Sequence, residues 1–189
     1  MNKCFAFFFY FVNMLVINAQ VHLGPGQAYT NIEAAFKSNA IKPGDTVFLH
    51  AGSYSGYQYI VNLHGAQNKW ITIRPFGKDQ IDISGGWQFA SCSYLRFEDL
   101  NFKGNSKNTG RLFSVDNGGS CLTQSKHIVV RHCSFANVTD PNAIAALKFG
   151  GVDSFEVSNN IFKDFPATSA MDYNVCHAGV IRENRIENC

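Results

Sequence analysis

The chain of 189 residues lacks any marked excess of charge. It contains 16 Lys and Arg against 14 Asp and Glu, which gives a formal net charge of +2 at pH 7. Proteins that bind nucleic acid concentrate positive charge to neutralise phosphates. The near balance therefore predicts no nucleic-acid partner.

The sequence also lacks the short motifs of common metal and phosphate sites. It contains no CxxC pair, so its cysteines do not follow a zinc-binding pattern. The glycine pairs at 85–86, 118–119 and 150–151 have neither Walker-type nor Rossmann spacing, and we expect them in turns. Five of the six histidines are scattered over different coil positions, and none shares a repeat position with Cys or Asp in a ligand-like pattern, so we expect no metal centre from them: His50, His64, His127, His132 and His177.

Long apolar runs are absent after the opening segment, MNKCFAFFFYFVNMLVINAQ. That segment has an early Lys3, an apolar run over 5–17 and the small-residue sequence INA, which together predict a secretory signal peptide cleaved after Ala19. The run is shorter than the ~20 apolar residues of a membrane helix. We expect a bacterial-type export signal at 1–19 and a mature domain at 20–189, secreted, periplasmic or on the cell surface, without a membrane span. An uncleaved anchor is the alternative.

The mature part has an odd number of cysteines, so at least one stays free or pairs outside the chain. Export permits a disulfide, but the spacing does not indicate which cysteines would form it. The alternative is that they are buried as small apolar residues. The five are Cys92, Cys121, Cys133, Cys176 and Cys189.

What the sequence does contain is a repeat. Four segments align without gaps: YLRFEDLNF (94–102), HIVVRHCSF (127–135), SFEVSNNIF (154–162) and GVIRENRI (179–186). Their matched apolar residues are Phe97, Val130, Val157 and Ile181. Ile73 precedes Phe97 by the same interval that separates Val157 from Ile181, and the two intervals between Phe97 and Val157 are longer. The period is that shorter interval, two dozen positions, with insertions in two units.

Each unit reads as a strand, a short polar corner, a second strand and a longer turn. Such units cannot bury an apolar face alone, but they can if equivalent strands stack in parallel. The pattern therefore predicts an all-β fold, a right-handed parallel β-helix. A second apolar row follows at a constant offset from the first: Phe102, Phe135, Phe162 and Ile186.

Paired polar residues occupy the corners of the last two units, Asn159-Asn160 and Glu183-Asn184. Asparagine tolerates left-handed backbone angles and hydrogen-bonds its own turn. Stacked in register, it can also bond its counterpart one coil away. We expect a short ladder from Asn160 to Asn184, with Leu100 and Cys133 at the earlier matched positions.

A further strand precedes each repeat, and two of its positions are expected to point inward. One position is occupied by Phe89, Phe149 and Tyr173. The other, two residues earlier, is occupied by Trp87, Leu147 and Met171. In the third unit, which contains an insertion, LFSV (112–115) takes this place. Between the inward positions lie the outward residues Gln88, Lys148 and Asp172.

The two ends of the stack differ in sequence. Thr30 and Glu33 fit a capping box, which predicts a helix covering the first coil, with Thr30 as N-cap and Glu33 reaching back. The chain stops at Cys189, inside a coil, and an uncovered strand edge is an aggregation hazard. We expect this chain to be the front of a longer protein or a truncated reading frame. A partner at that edge is the alternative.

Three stretches resemble the pectate-lyase-like β-helix superfamily, and within it the chondroitinase B and alginate lyase group. They are AYTNIEAAFKSNAIKPGDTVFLHAGSY (28–54), HGAQNKWITIRPFGKDQIDISGG (64–86) and SYLRFEDLNFKG (93–104). The resemblance implies an exported protein acting on polysaccharide, most of all a lyase that cleaves an acidic polysaccharide by β-elimination. It also implies calcium as a cofactor of the full-length protein. Since that group's catalytic residues come from later coils, the resemblance assigns no catalytic residue here.

The framework also carries non-catalytic modules, so a glycan-binding or structural role is the alternative function. The candidates for substrate binding are Lys148, Asp172 and Gln88. Lys148 and Asp172 are expected side by side on adjacent coils, where the carboxylate favours the ammonium form of the lysine and argues against a neutral base. A cross-strand ion pair without function is the competing interpretation. Tyr54, Tyr57 and Tyr59 alternate along one predicted strand and would either stack on sugar rings or pack within a coil.

Overall fold

The computed structural model of the chain describes residues 20–104, 111–119, 123–140, 142–166 and 168–188. The predicted signal peptide, 1–19, lies outside these residues. Within them the chain forms eighteen β-strands and one helix, α1 (Ile32–Lys37), and every pair of neighbouring strands is parallel.

The strands form three sheets. Sheet A contains β1 (Gln20–Leu23), β2 (Thr46–Leu49), β5 (Ile71–Pro75), β8 (Ser93–Glu98), β11 (Ser125–Arg131), β14 (Val152–Ser158) and β17 (His177–Arg182). Sheet B contains β3 (Gly52–Tyr54), β6 (Ile81–Ile83), β9 (Asn101–Lys103), β12 (Ser134–Ala136), β15 (Ile161–Lys163) and β18 (Arg185–Glu187). Sheet C contains β4 (Gln58–Val61), β7 (Trp87–Ala90), β10 (Arg111–Asp116), β13 (Ala145–Gly150) and β16 (Ser169–Asn174).

From β2 onward the chain visits sheets A, B and C in turn and then repeats the cycle. Each strand therefore pairs with the equivalent strand one coil away rather than with its neighbour in sequence. The result is a parallel β-helix of about six turns with very little helix. This confirms the predicted fold class.

The register of sheet A matches the repeat read from the sequence. Phe97 pairs with Ile73 on one side and with Val130 on the other, and Val157 pairs with Val130 and Ile181. The first four of these side chains are fully buried, whereas Ile181 on the edge strand β17 is 48% exposed. The period-2 alternation thus turns the matched apolar side chain of each coil toward the interior of the β-helix.

Sheet B contributes a stack of phenyl rings to the same interior. The Phe102 and Phe135 rings lie 5.0 Å apart with an interplanar angle of 3°, and the Phe135 and Phe162 rings lie 4.9 Å apart at 5°. The ring spacing matches the distance of about 4.8 Å between adjacent strands. The repeat in the chain therefore becomes a continuous column of aromatic contact.

The two residues of the corner between sheets A and B differ in backbone conformation and in burial. The first adopts a left-handed backbone: Asp99, His132, Asn159 and Glu183 have φ of 57°, 53°, 55° and 56°. The second is buried in the first three of these coils, where it is Leu100, Cys133 and Asn160. The predicted bond between Asn160 and Asn184 is present.

Helix α1 begins one residue later than the capping box predicted. Asn31, not Thr30, is the N-cap, because its side chain accepts the hydrogen bond from the Ala34 N–H at 2.9 Å. Glu33 does not reach back to the cap, since its carboxylate pairs with Lys37 one turn later at 2.5 Å. The helix packs on β1 and β4. Its role as a cover for the stack stays a prediction.

Three of the five cysteines are described, and all three are free thiols. Cys92 and Cys133 are buried, and Cys176 is half-buried. Burial raises the pKa of both Cys92 and Cys133 to about 12. These two behave as small apolar core residues, as the second interpretation of the sequence proposed; Cys121 and Cys189 lie outside the described residues.

Candidate functional site

The three predicted site residues lie in one row on the outer face of sheet C. The strand register aligns Gln88 with Tyr59 on one side and with Ser114 on the other, and Lys148 with Ser114 and Asp172. The row runs across all five strands of the sheet in the order Tyr59, Gln88, Ser114, Lys148 and Asp172. At about 4.8 Å per strand it covers roughly 19 Å.

At one end of the row, Lys148 and Asp172 form the predicted ion pair. The lysine Nζ lies 3.1 Å from Asp172 Oδ2, and both side chains are about three-quarters buried. Asn174 Nδ2 donates to the other oxygen, Asp172 Oδ1, at 2.8 Å. The carboxylate is thus engaged through both oxygens, one by Lys148 and the other by Asn174.

At the other end, Gln88 is the centre of a second polar network. The Tyr57 hydroxyl donates to Gln88 Oε1, and Gln88 Nε2 donates to Asp116 Oδ2 at 2.5 Å. The Gly118 N–H donates to the remaining oxygen, Asp116 Oδ1, at 2.9 Å. The amide of Gln88 therefore connects a phenol to a carboxylate on the next coil.

The Tyr57 phenol remains a hydrogen-bond donor in this network. Burial raises its pKa above the ordinary value, the neighbouring Tyr59 and Asp116 raise it further, and Arg111 opposes the change. A phenol with a raised pKa does not act as a base near neutral pH. Tyr57 therefore contributes a hydroxyl and an aromatic surface.

Tyr57 and Tyr59 form an exposed aromatic pair beside Gln88. Tyr57 is 56% exposed and Tyr59 is 43% exposed, and their rings are nearly parallel with centroids 6.4 Å apart. The expectation that Tyr54 lies on the same strand as this pair is wrong, whereas the alternative that it packs within a coil holds for Tyr54. The chain turns after β3, so Tyr54 points into the core of sheet B, and its hydroxyl donates to the His50 carbonyl at 2.6 Å.

Ser114 divides the row into two halves. Its side chain lies at an outward position between Gln88 and Lys148, but the residue is only 1% exposed. Within the described parts of the chain its Oγ has no hydrogen-bond partner. The row is therefore divided into an aromatic half, with Tyr59 and Gln88, and a charged half, with Lys148 and Asp172.

The described residues do not bring together three or more His, Cys, Asp or Glu side chains that could bind a metal ion. The two carboxylates of the face, Asp116 and Asp172, are two strands apart in sheet C. Calcium prefers six to eight oxygen ligands. Calcium in the full-length protein stays a prediction from the resemblance.

Sequence reasoning missed two polar members of this face, Asp116 and Asn174. Each lies two positions after a residue of the first row, Ser114 or Asp172, and so projects from the same side of its strand. The period-2 rule could have found both. Their hydrogen bonds to Gln88 and Asp172 depend on rotamers and could not be read from the pattern.

No protein-family model matches the chain, and no curated protein matches it. Among solved structures, a mutant of the PL6-family alginate lyase AlyGC aligns at 14% identity and a TM-score of 0.38. The alignment covers 90% of this chain and 38% of the lyase chain, so this chain spans well under half of the length of the lyase.

The described residues contain no helix with the length and apolar character needed to cross a membrane.

Proposed function

We propose that this chain is exported and forms part of a polysaccharide lyase, in which the outer face of sheet C binds an acidic polysaccharide. The observation that carries the proposal is the alignment of the exposed Tyr57–Tyr59 pair with Lys148 on one sheet face. Aromatic rings offer apolar surface to the flat side of a sugar ring. The lysine ammonium would attract a uronate carboxylate.

The length of the face suits a chain of sugars rather than a single one. The row extends over roughly 19 Å of stacked strands, and its aromatic and charged groups are at opposite ends. Gln88 and Asp116, at the aromatic end, supply hydrogen-bonding groups for sugar hydroxyls. The resemblance of residues 28–104 to β-helix lyases supports the same class of ligand.

A non-catalytic glycan-binding module is the second candidate, and one observation favours it. β-Elimination requires a base that removes a proton next to the uronate carboxylate. On the described face Lys148 is ion-paired, and Asp116 and Asp172 are each engaged through both oxygens. These groups are arranged to bind and orient a sugar, and the resemblance places the base of a lyase on later coils.

Binding is tested by titrating the chain expressed from Gln20 with tetrameric oligouronates and with a neutral oligoglucan. We expect Lys148→Gln to weaken uronate binding about tenfold, which is about 1.4 kcal/mol. The matched control is Lys103→Gln, because Lys103 pairs with Asp82 at 2.7 Å on sheet B, away from the face. Equal losses in the two variants, or equal affinity for the neutral glucan, would contradict the proposal.

Catalysis is tested separately, by ultraviolet absorbance of the unsaturated uronate that β-elimination leaves on the product. Alginate, pectate and dermatan sulfate are the substrates to compare. Turnover that survives Lys148→Gln at saturating substrate would identify a lyase whose base lies elsewhere. Binding without product on any substrate would support the non-catalytic module.

A further inference from the structure

A second polar surface lies on sheet A, away from the face described above. It is an open groove of about 410 Å³ between the outer side of β2, β5 and β8 and the loop that precedes β5. Three aligned side chains form its floor, Thr46, Thr72 and Arg96, and the loop residues Lys69 and Trp70 form one wall. We name this the sheet A groove.

The floor of the groove is fixed by the strand register. Thr46 pairs with Thr72 and Thr72 pairs with Arg96, so two hydroxyls and one guanidinium lie in a row at steps of about 4.8 Å. The residues that follow Thr46 and Thr72, Val47 and Ile73, point into the core and are fully buried. The outward direction of the floor therefore follows from the alternation of the strands.

Arg96 is held by an aromatic contact instead of a carboxylate. Its guanidinium carbon lies 4.4 Å from the centroid of the Trp70 ring. Trp70 is itself fixed, since its Nε1–H donates to the Gln67 carbonyl at 3.1 Å and its ring meets Tyr94 edge-on at 5.4 Å. Stacking on an aromatic face leaves the N–H groups at the edge of a guanidinium available.

The other arginines of sheet A differ from Arg96 in this respect. Arg131 pairs with Glu98 at 2.7 Å, Arg182 pairs with Glu156 at 2.9 Å, and Arg74 contacts both Glu98 and Asp99. Within the described residues the Arg96 guanidinium has no carboxylate partner and no side-chain hydrogen bond. The groove adds a second cation, Lys69, and none of its lining residues is acidic.

We propose that the sheet A groove binds an anionic sugar residue through its carboxylate or sulfate group. The planar fork of Arg96 matches such a group in a bidentate geometry, and Lys69 adds positive charge. The hydroxyls of Thr46 and Thr72 are placed to hydrogen-bond the ring hydroxyls of the same sugar. The choice of a sugar rests on the proposed function, whereas the anion-binding character rests on the groove alone.

Nucleic acid is the less suitable anion. A groove with two cations can neutralise few phosphates, and the whole chain carries a formal net charge of only +2. A short single-stranded oligonucleotide therefore belongs in the test as a competing ligand.

The two tryptophans of the chain allow ligand binding to be located, because they lie in different parts of the structure. Trp70 lines the groove, whereas Trp87 is 2% exposed in the core. The indole N–H signals are followed by ¹H–¹⁵N NMR during titration with a tetrameric oligouronate, a sulfated oligosaccharide, a neutral oligoglucan, inorganic sulfate and the oligonucleotide. A Trp70→Phe variant assigns the signals.

We expect the Trp70 signal to move saturably with the oligouronate or the sulfated oligosaccharide, and the Trp87 signal to stay in place. Arg96→Gln and Lys69→Gln should each weaken this response about tenfold or more. Lys69→Gln serves as the second variant because Lys69 is exposed and its side chain takes no part in the contact between Arg96 and Trp70. Arg74→Gln removes the same charge from a paired arginine on the same sheet and should leave the response unchanged.

Several outcomes would overturn the proposal. They are a Trp70 signal that does not respond to either anionic sugar, a response of equal size in Arg96→Gln, and an equal response to inorganic sulfate or to the oligonucleotide. Lys148→Gln separates this site from sheet C, since it should not affect the Trp70 response. If the Trp70 response persists while Lys148→Gln and Lys103→Gln bind alike, the sheet C proposal fails and the sheet A groove stands. If instead the Trp70 signal does not respond and Lys148→Gln binds more weakly than Lys103→Gln, the sheet C proposal stands and the sheet A groove proposal fails.

Discussion

Asn184 Oδ1 accepts two hydrogen bonds from Asn160, one from the backbone N–H at 3.0 Å and one from Nδ2 at 2.9 Å. Asn160 in turn accepts from the Cys133 N–H at 2.9 Å and donates to the Val130 carbonyl at 3.0 Å. One buried side chain thus connects three consecutive coils. It satisfies backbone groups that the sharp corner between sheet A and sheet B removes from the regular ladder.

Replacing Asn160 by Ala should destabilise the fold by about 2–4 kcal/mol, because two buried backbone groups are left unpaired. The residue is 1% exposed, so the Cys133 N–H and the Val130 carbonyl would lose a partner without gaining water. The measurement is the urea midpoint of the chain expressed from Gln20. Asn184→Ala is the control, because Asn184 lies on the edge coil and is only half-buried, and it should cost clearly less. Equal costs would show that the ladder does not carry the energy.

The repeat predicted where the corner lies, but not which of its two residues is left-handed and which is buried. Both asparagines fit the sequence expectation of a tolerant turn residue. The structure gives the left-handed backbone only to the first position, where Asp99, His132 and Glu183 do the same as Asn159. Since only one of these four is asparagine, the position is defined by register and not by residue type. Composition alone could not have separated it from Asn160.

A second prediction follows for Asn159, whose φ is 55°. A β-branched residue is strained in this region, so Asn159→Val should cost about 1–2 kcal/mol. Asn159→Gly should be close to neutral, because glycine adopts positive φ without a steric penalty. Thermal unfolding of the two variants measures the difference. A valine variant as stable as the glycine variant would mean that the corner relaxes out of the left-handed conformation.

The phenyl column offers a third test. Phe135 is fully buried between Phe102 and Phe162, so Phe135→Ala removes both ring contacts and should cost about 3–5 kcal/mol. Ile161→Ala is the matched control on the same sheet, since Ile161 is 45% exposed and points outward. Its effect should stay within about 0.5 kcal/mol. Denaturant unfolding gives both values, and a small loss for Phe135→Ala would contradict the central role of the column.

The sequence was informative where residues repeat and much less so elsewhere. The apolar rows, the ion pair of Lys148 with Asp172 and the row of sheet C all follow from the period. The N-cap and the placement of Tyr54 on one strand with Tyr59 were wrong, because both depend on where a single turn begins. The stacking of Arg96 on Trp70 joins a strand to a loop with no repeat relation between them, so no periodic argument could reach it.

Thiol reactivity tests the placement of the cysteines. At pH 8 we expect a thiol reagent to modify Cys176 in the folded chain and to leave Cys92 and Cys133 intact until urea unfolds it, because the latter two are buried. The experiment uses a background in which Cys121 and Cys189 are replaced by Ala, so that these two do not contribute. Labelled peptides identified by mass spectrometry report each site. Modification of Cys133 in the folded state would contradict its burial at the corner between sheets A and B.

The same burial predicts an alkaline limit to stability. The pKa of Cys92 and of Cys133 rises from 9.0 to about 12 on folding, so the folded chain holds these two protons more tightly than the unfolded chain. A raised pKa makes this contribution to stability fully present below pH 9 and progressively lost as pH rises from 9 toward 12. The free energy of unfolding, measured by urea titration at each pH, should therefore fall across this window. The double variant Cys92→Ala/Cys133→Ala should start from a lower stability, but its free energy of unfolding should fall less steeply with pH. An unchanged slope would assign the alkaline loss to other groups. Tyr54 is one such group, since burial raises its pKa to about 12.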